Sequence, residues 1–389
     1  MACYISSNNN RFYVKREADY GHVAAITEAN RIPAVKLVAR QKAVRPERRD
    51  KTGGRSFAGS PNGSRKETSF ELTTYLTSWG DPSEPPAYGP LFEAAMGAAP
   101  QTWTGRPVAN TNGNELTFSA AHGLTVGQGV AFGGEIRFVT AVVDGDAVQL
   151  NAPFSLAPGA GDMTSPTVTY RLATGLPSAS IFDYWDPADA VQRLISGAAV
   201  NEMAIKVNAD FHEFTFSGEA ADLLDSVSFT NGQAGLSTYP VEPAVLPLAY
   251  DVIPGHLGQV WMGTTASRFY TLTEAEVKLD NDLDLRANEF GSERPSCVSA
   301  GRRNVSLNLS LYEQRNAMTR DLYEAARNQT PITVMFQLGQ QPGQLFGVYL
   351  NSVVPEVPEF DDSDPRLQWR FKNCRAQGSD NDELILAFA

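Results

Sequence analysis

Residues 269–314 read FYTLTEAEVKLDNDLDLRANEFGSERPSCVSAGRRNVSLNLSLYEQ. Between Ala275 and Leu279 apolar residues fall on every second position, and they do so again at Val305, Leu307, Leu309 and Leu311. This period of two belongs to strands with one buried face. The stretch between them is rich in Gly, Pro, Ser and charge, so it reads as a long polar loop joining two strands. In EAEVKLDNDLDLR (274–286) the residues Asp280, Asp282 and Asp284 also alternate. They are expected on one strand face, turned toward water or a basic partner, and an acidic pore lining is one way to satisfy them.

The same signals extend outward. Downstream come a helix over NAMTRDLYEAARN (316–328) and strands over PITVMFQL (331–338), LFGVYLNSVV (345–354), RLQWRFKN (366–373) and ELILAFA (383–389). The first half offers the same order. AVKLVAR (34–40) leads through a long loop to SFELTTYL (69–76), then to a helix over YGPLFEAAMG (88–97) and later strands ending with FHEFTFSGE (211–219). Residue identity is slight, chiefly SFELTTYL against SLNLSLYE and PLFEAAMG against DLYEAARN, so the repeat is one of architecture. The expected fold is mainly β, a sandwich with a flanking short helix, duplicated in tandem. Residues 107–165, which include AVQLNAPF (147–154), are short strands joined by Gly turns and are expected to form an inserted small β-barrel domain. The first β domain then comprises residues 1–106 and 166–230, the Pro- and Gly-rich stretch 231–256 is a connector, and the second β domain is 257–389.

The 389 residues carry a net charge of −12, distributed unevenly. Lys42, Arg45, Arg48, Arg49, Lys51, Arg55, Arg65 and Lys66 face only Glu47 and Asp50 within 42–66, so this segment is +6 and the remainder −18. An acidic chain of this kind is a poor nonspecific binder of nucleic acid. The basic segment has almost no apolar side chains to offset the entropy of ordering, and is read as a long hairpin loop that needs an anionic partner. No apolar run approaches the length that crosses a bilayer, and MACYISSNNNRFYVKR lacks the apolar core of a signal peptide, so cytoplasmic folding is expected.

Catalytic chemistry is not legible. The four histidines, His22, His122, His212 and His256, form no HExxH or Cys-His arrangement, and Cys3, Cys297 and Cys374 are too dispersed for a disulfide framework or a zinc site. His122, close to Gly123 and Gly127, reads as a turn residue. EVPEFDDSDPR (356–366) gathers oxygen ligands but lacks calcium-loop spacing, so a solvated hairpin tip or a salt-bridging contact is expected. GGRSFAGSPNGSRK (53–66) lacks the Gly-Lys-Ser/Thr ending of a phosphate loop and precedes a strand. No catalytic residue, cofactor or metal is expected. A carbohydrate-binding β-sandwich protein is a more remote alternative, although the tryptophans Trp79, Trp103, Trp185, Trp261 and Trp369 are dispersed without visible pairing.

The run 269–314, with Asp280-Asn281-Asp282, Arg286, Gly291, Pro295, Gly301-Arg302 and the amphipathic strand that follows, resembles the tail tube proteins of long-tailed bacteriophages, as do SFELTTYLTSW (69–79) and PLFEAAMG (90–97). The resemblance implies a β-sandwich with a flanking helix whose sheets join those of neighbouring subunits around a lumen. It implies a structural, non-enzymatic virion protein, assembled in the host cytoplasm, whose rings stack into the conduit for genome delivery. A tail-end, baseplate or decoration protein on the same fold is the nearest alternative. The implied partners are the chain itself, as a ring of three if the duplication holds and of six otherwise; other tail proteins at the tube ends; and phage DNA, held transiently without sequence-specific contacts. Lys42, Arg45, Arg48, Arg49, Lys51, Arg55, Arg65 and Lys66 are expected to form an inter-subunit stacking arm. Its receptors on an adjacent ring would be Glu356, Glu359, Asp361, Asp362 and Asp364, or the stretch from Asp380 to Glu383.

Overall fold

The computed structural model describes residues 4–44, 50–51, 53–57, 59, 65–207, 210–245, 247–286, 289–363 and 365–389. The first half contains strands β1 (Ala34–Val44) and β2 (Arg65–Tyr75), helix α1 (Gly89–Met96), and strands β3 (Ala179–Trp185), β4 (Arg193–Val207) and β5 (Glu213–Ala220). The second contains β6 (Leu272–Asp280), β7 (Asn304–Tyr312), helix α2 (Ala317–Asn328), β8 (Ile332–Leu338), β9 (Phe346–Val354), β10 (Glu359–Asp361) and β11 (Gln368–Ala376).

The two halves pair in the same sequence. The first gives the antiparallel order β1-β2-β5-β4 and the second β6-β7-β11-β10. A β4–β6 ladder, Glu202↔Asp280 to Val207↔Ala275, fuses them into one eight-stranded surface. In each half a long strand passes between layers. β4 pairs with β3 through its first residues and with β5 and β6 through its last. β9 pairs with β8, reaches β11 at Val353 and Val354, and the chain resumes along β11 as β10. Pro355 and Pro358 lie in that interruption and have no N–H to give to a ladder.

Alternation decides which face of this surface is buried. Phe70, Leu72, Met203, Ile205, Phe214, Phe216, Val277, Leu307, Leu309 and Phe371 all point to one side and are at most 4% exposed. Above them lie α1, α2 and a second layer made of Gln101–Trp103, Thr167–Arg171, Ile385–Phe388, β9, β8, Gly258–Gly263 and Ser267–Phe269. Helix α1 begins with Pro90 in its first turn and is buried on nearly every side. Its Phe92 ring lies 5.1–5.8 Å from Tyr170, Phe214, Phe216, Phe346 and Phe388, which come from both halves of the chain. Helix α2 is amphipathic, and Asn316 caps it by accepting from the Thr319 N–H at 3.0 Å.

Between α1 and β3 lies a five-stranded antiparallel sheet of Val108–Asn112, Glu115–Phe118, Ala147–Leu150, Glu135–Val142 and Gly129–Phe132, in that spatial order. It buries its own cluster of Trp103, Val108, Leu116, Val130, Val139, Val148 and Leu150. A second cluster joins Ala131, Ile136 and Phe138 to Met335, Leu345, Tyr349, Ile385 and Ala387 of the outer layer, with Phe138 stacked on Tyr349 at 5.2 Å. The insertion is therefore bound to the second half through an apolar contact joined by Gln337, which accepts from the Ile136 N–H and donates to Gly134 O. Residues 231–256 run along the surface. There Glu242 accepts from Arg11 and from the Tyr13 hydroxyl, and Val252 and Pro254 form single bridges to Thr77 and Phe211.

Candidate assembly surface

The face opposite the core is polar on all eight strands. Because Leu72, Phe216, Ile205 and Val277 occupy the buried positions, their neighbours necessarily face the other way. The central strands present Glu67 and Glu71 from β2, Glu213 and Glu219 from β5, Glu202 from β4, and Glu274, Glu276 and Asp280 from β6, opposed by Arg65, Lys206 and Lys278. Lys278 Nζ lies 2.9 Å from Glu202 Oε1, and that hydrogen bond raises the lysine pKa. Burial, reinforced by the Glu67 charge, pushes the Glu219 carboxyl up. The neighbouring β7 contributes Asn304, Ser306, Asn308 and Ser310. A groove of about 560 Å³ crosses this face from β4 to β11, lined in part by Lys206, Glu274, Glu276, Asn308, Arg370 and Lys372.

Charge changes sign at the margins. On β1, which pairs only with β2 among the described residues, Lys36, Arg40 and Lys42 are exposed. At the far margin β11 presents Arg370, Lys372 and Arg375. There Glu359 accepts from Lys372 Nζ at 2.6 Å, and Asp361 is paired with Arg370.

The structure redraws the basic segment. Lys42 and Arg65 are ladder residues, with Lys42 opposite Glu67 and Val44 opposite Arg65, so the hairpin loop is shorter than the stretch 42–66. The Lys66 N–H donates to Glu293 O at 3.1 Å, and its Nζ lies 4.0 Å from Asp222, so it contacts its own chain. Lys51 and Arg55 are exposed. Arg45, Arg48, Arg49 and Asp364 lie outside the described residues. Glu356 and Asp362 are exposed on either side of β10, which agrees with a solvated hairpin tip. The expected common face for Asp280, Asp282 and Asp284 is corrected. β6 ends at Asp280, Asp282 turns the chain at φ 49°, and Asp284 belongs to a separate strand, Leu283–Leu285. The physical reason is Gly301, which packs against Asp282 and closes the loop base there.

His122 is a buried turn residue, as its glycine neighbours imply: Nδ1 accepts from the Leu124 N–H at 2.8 Å, and Nε2 lies 3.1 Å from Asp144 O. Sequence reasoning missed two buried acids. Asp222, 1% exposed, receives Gln41 Nε2 at 2.8 Å and Arg294 Nη2 at 3.0 Å. Glu17 receives the Ser178 and Ser180 hydroxyls and the backbone N–H groups of Gly21 and Gly197. Neither belongs to a motif, because their partners come from distant parts of the chain. Among the described residues no cluster of three or more His, Cys, Asp or Glu is placed to hold a metal ion, and no helix is long and apolar enough to cross a membrane.

The described residues form a layered β-sheet whose outer face is acidic at its centre and charged at its margins. The family model of phage tail tube proteins matches residues 7–368, and the chain belongs to that family. It is therefore a structural component of the bacteriophage virion tail. No curated protein matches the chain.

Proposed function

We propose that the chain closes with two further copies into a ring, and that such rings stack into the tube through which the genome leaves the virion. The observation that carries this reading is the repeated strand order, β1-β2-β5-β4 followed by β6-β7-β11-β10. We take the two halves as tandem copies of one unit, with 107–165 inserted in the first and 231–256 connecting them. The β4–β6 seam is then a template for the seam between chains. β10 stands where β4 stands and β1 where β6 stands, so the β10 margin of one chain meets β1 of the next. At that seam Lys36, Arg40 and Lys42 approach Glu359 and Asp361, which within one chain pair with Lys372 and Arg370. A closed ring leaves no open sheet margin, and three chains supply six units.

The acidic face would line the lumen. Phosphates slide past carboxylates that repel them and would stall on a basic wall. The role is mechanical and assigns the chain no catalytic step. Exposed ion pairs contribute about 0.2–1 kcal/mol each, so several reversed together are needed to abolish association. The triple variant Lys36→Glu, Arg40→Glu, Lys42→Glu is expected to keep the circular dichroism and melting behaviour of the wild type while sedimenting as a monomer. Rings of the variant in electron micrographs at wild-type abundance would refute the seam.

A further inference from the structure

At the seam inside the chain, Ile205 of β4 faces Val277 of β6, and the two are 0% and 1% exposed. On the free margin, Phe360 of β10 points the same way, toward the core, because it stands opposite Trp369 as Ile205 stands opposite Phe214. Its ring stacks on Trp369 at 5.4 Å and lies 6.0 Å from Tyr323 of α2, yet Phe360 is 57% exposed. A large apolar ring is thus held on one side and bare on the other, where Ile205 has a neighbour.

The repeat supplies that neighbour. Aligning Ser69–Tyr75 with Ser306–Tyr312 matches Phe214 with Trp369 through the β2–β5 and β7–β11 ladders, and so matches Ile205 with Phe360. Through the β1–β2 and β6–β7 ladders the same alignment matches Val277 with Ala39. The Ile205↔Val277 pair of the inner seam therefore becomes Phe360 of one chain against Ala39 of the next. We infer that Phe360 is a plug that sets the register of the seam between chains, seated over Ala39 of a second copy. The inference rests on the ring reading above.

Size supports this occupant. Where one residue grows from Ile to Phe, its partner shrinks from Val to Ala, so the pair keeps nearly the same volume. Ala39 and Leu37 are themselves only partly covered apolar residues of the open β1 margin. Register needs such a device because β10 spans only three residues, and so short a ladder has few backbone bonds to fix its own alignment. A slip of one residue would place Phe360 against Val38 or Arg40, whose side chains belong to the opposite face. A slip of two would set it against the larger Leu37, or against Gln41, whose amide already donates to Asp222. Of these residues Ala39 alone is small, apolar and on the right face.

In the matched register Glu359 stands opposite Arg40, as Ala204 stands opposite Lys278, at a separation that a disulfide can bridge. The test makes three full-length double variants: Glu359→Cys with Arg40→Cys, with Val38→Cys and with Lys42→Cys. The last two bridge only in registers slipped by two residues. Assembled rings are oxidised, digested and read by mass spectrometry, which separates the new links from any at Cys297 or Cys374. A link between positions 359 and 40 of different chains is expected, with the other two pairs left reduced. A second arm needs no oxidation. Ala39→Phe should remove rings from electron micrographs, and Phe360→Ala in the same chain should restore them, which a misfolded strand would not allow. Normal rings that link 359 to 38 or 42, or to none of the three positions, would overturn the inference. So would rings of Ala39→Phe at wild-type abundance, or no recovery in its double variant. Wild-type protein that forms no rings would overturn the ring reading, and the inference with it.

Discussion

His212 sits at the start of β5 under the turn at 254–257, 1% exposed, with Nε2 3.5 Å from Leu257 O and Nδ1 buried without a partner. Burial pushes its pKa down to about 4 from 6.5. The native state thus resists a proton that the unfolded chain accepts. The stability this group contributes is complete above pH 6.5 and is lost as the pH falls toward 4. At about 1.4 kcal/mol per pH unit, the loss between pH 6.5 and 5 is about 2 kcal/mol. Urea titrations at the two pH values should show it in the wild type and not in His212→Gln; an equal loss in the variant would assign the acid sensitivity to other groups. At this scale the sequence is least informative. His212 looks like any strand histidine, and the register that ends β6 at Asp280 depends on Gly301, twenty-one residues further on.

Strands with one wet face declare themselves. SFELTTYL and VSLNLSLY alternate because one side meets Phe214 or Phe371 and the other meets water. β4 is harder to read, since its first half, RLISGAAV, is covered on both sides and shows no alternation. The margins of β1 and β2 are also obscure, because Lys42, Arg65 and Lys66 are charged on both faces and look like loop. The inserted sheet was legible through its glycine turns, but not its attachment, which depends on Arg137. That guanidinium is 0% exposed, lies 2.8 Å from Glu135, donates to Ile136 O and Pro153 O, and stands 5.2 Å over the Trp261 ring of the second half. Arg137→Leu should cost about 3 kcal/mol, because the buried Glu135 carboxylate loses its charge partner and keeps only the Ser155 and Gln259 donors. Proteolysis should then cut the insertion before the rest of the chain; a variant as stable and resistant as the wild type would show that the apolar contact alone suffices.

Over the whole molecule the two halves share one core. Phe92 touches Phe214 and Phe216 of the first and Phe346 of the second, so neither half keeps its core when the other opens. Phe92→Ala should destabilise by about 3–5 kcal/mol, the usual cost of emptying such a site. Calorimetry should still record one transition, since both halves lose the same contacts; two resolved transitions would mean that the halves fold separately.

The interrupted margin at Pro355 and Pro358 bears on the time before a tube exists. A newly made copy holds an uncompleted sheet in a crowded cell, where a long bare strand would invite amyloid-like pairing with any extended segment it met. Two prolines and a three-residue strand offer such a segment almost nothing to grip, while the charges on both margins repel like ends. The same irregularity therefore guards a lone copy against fouling by stray extended segments.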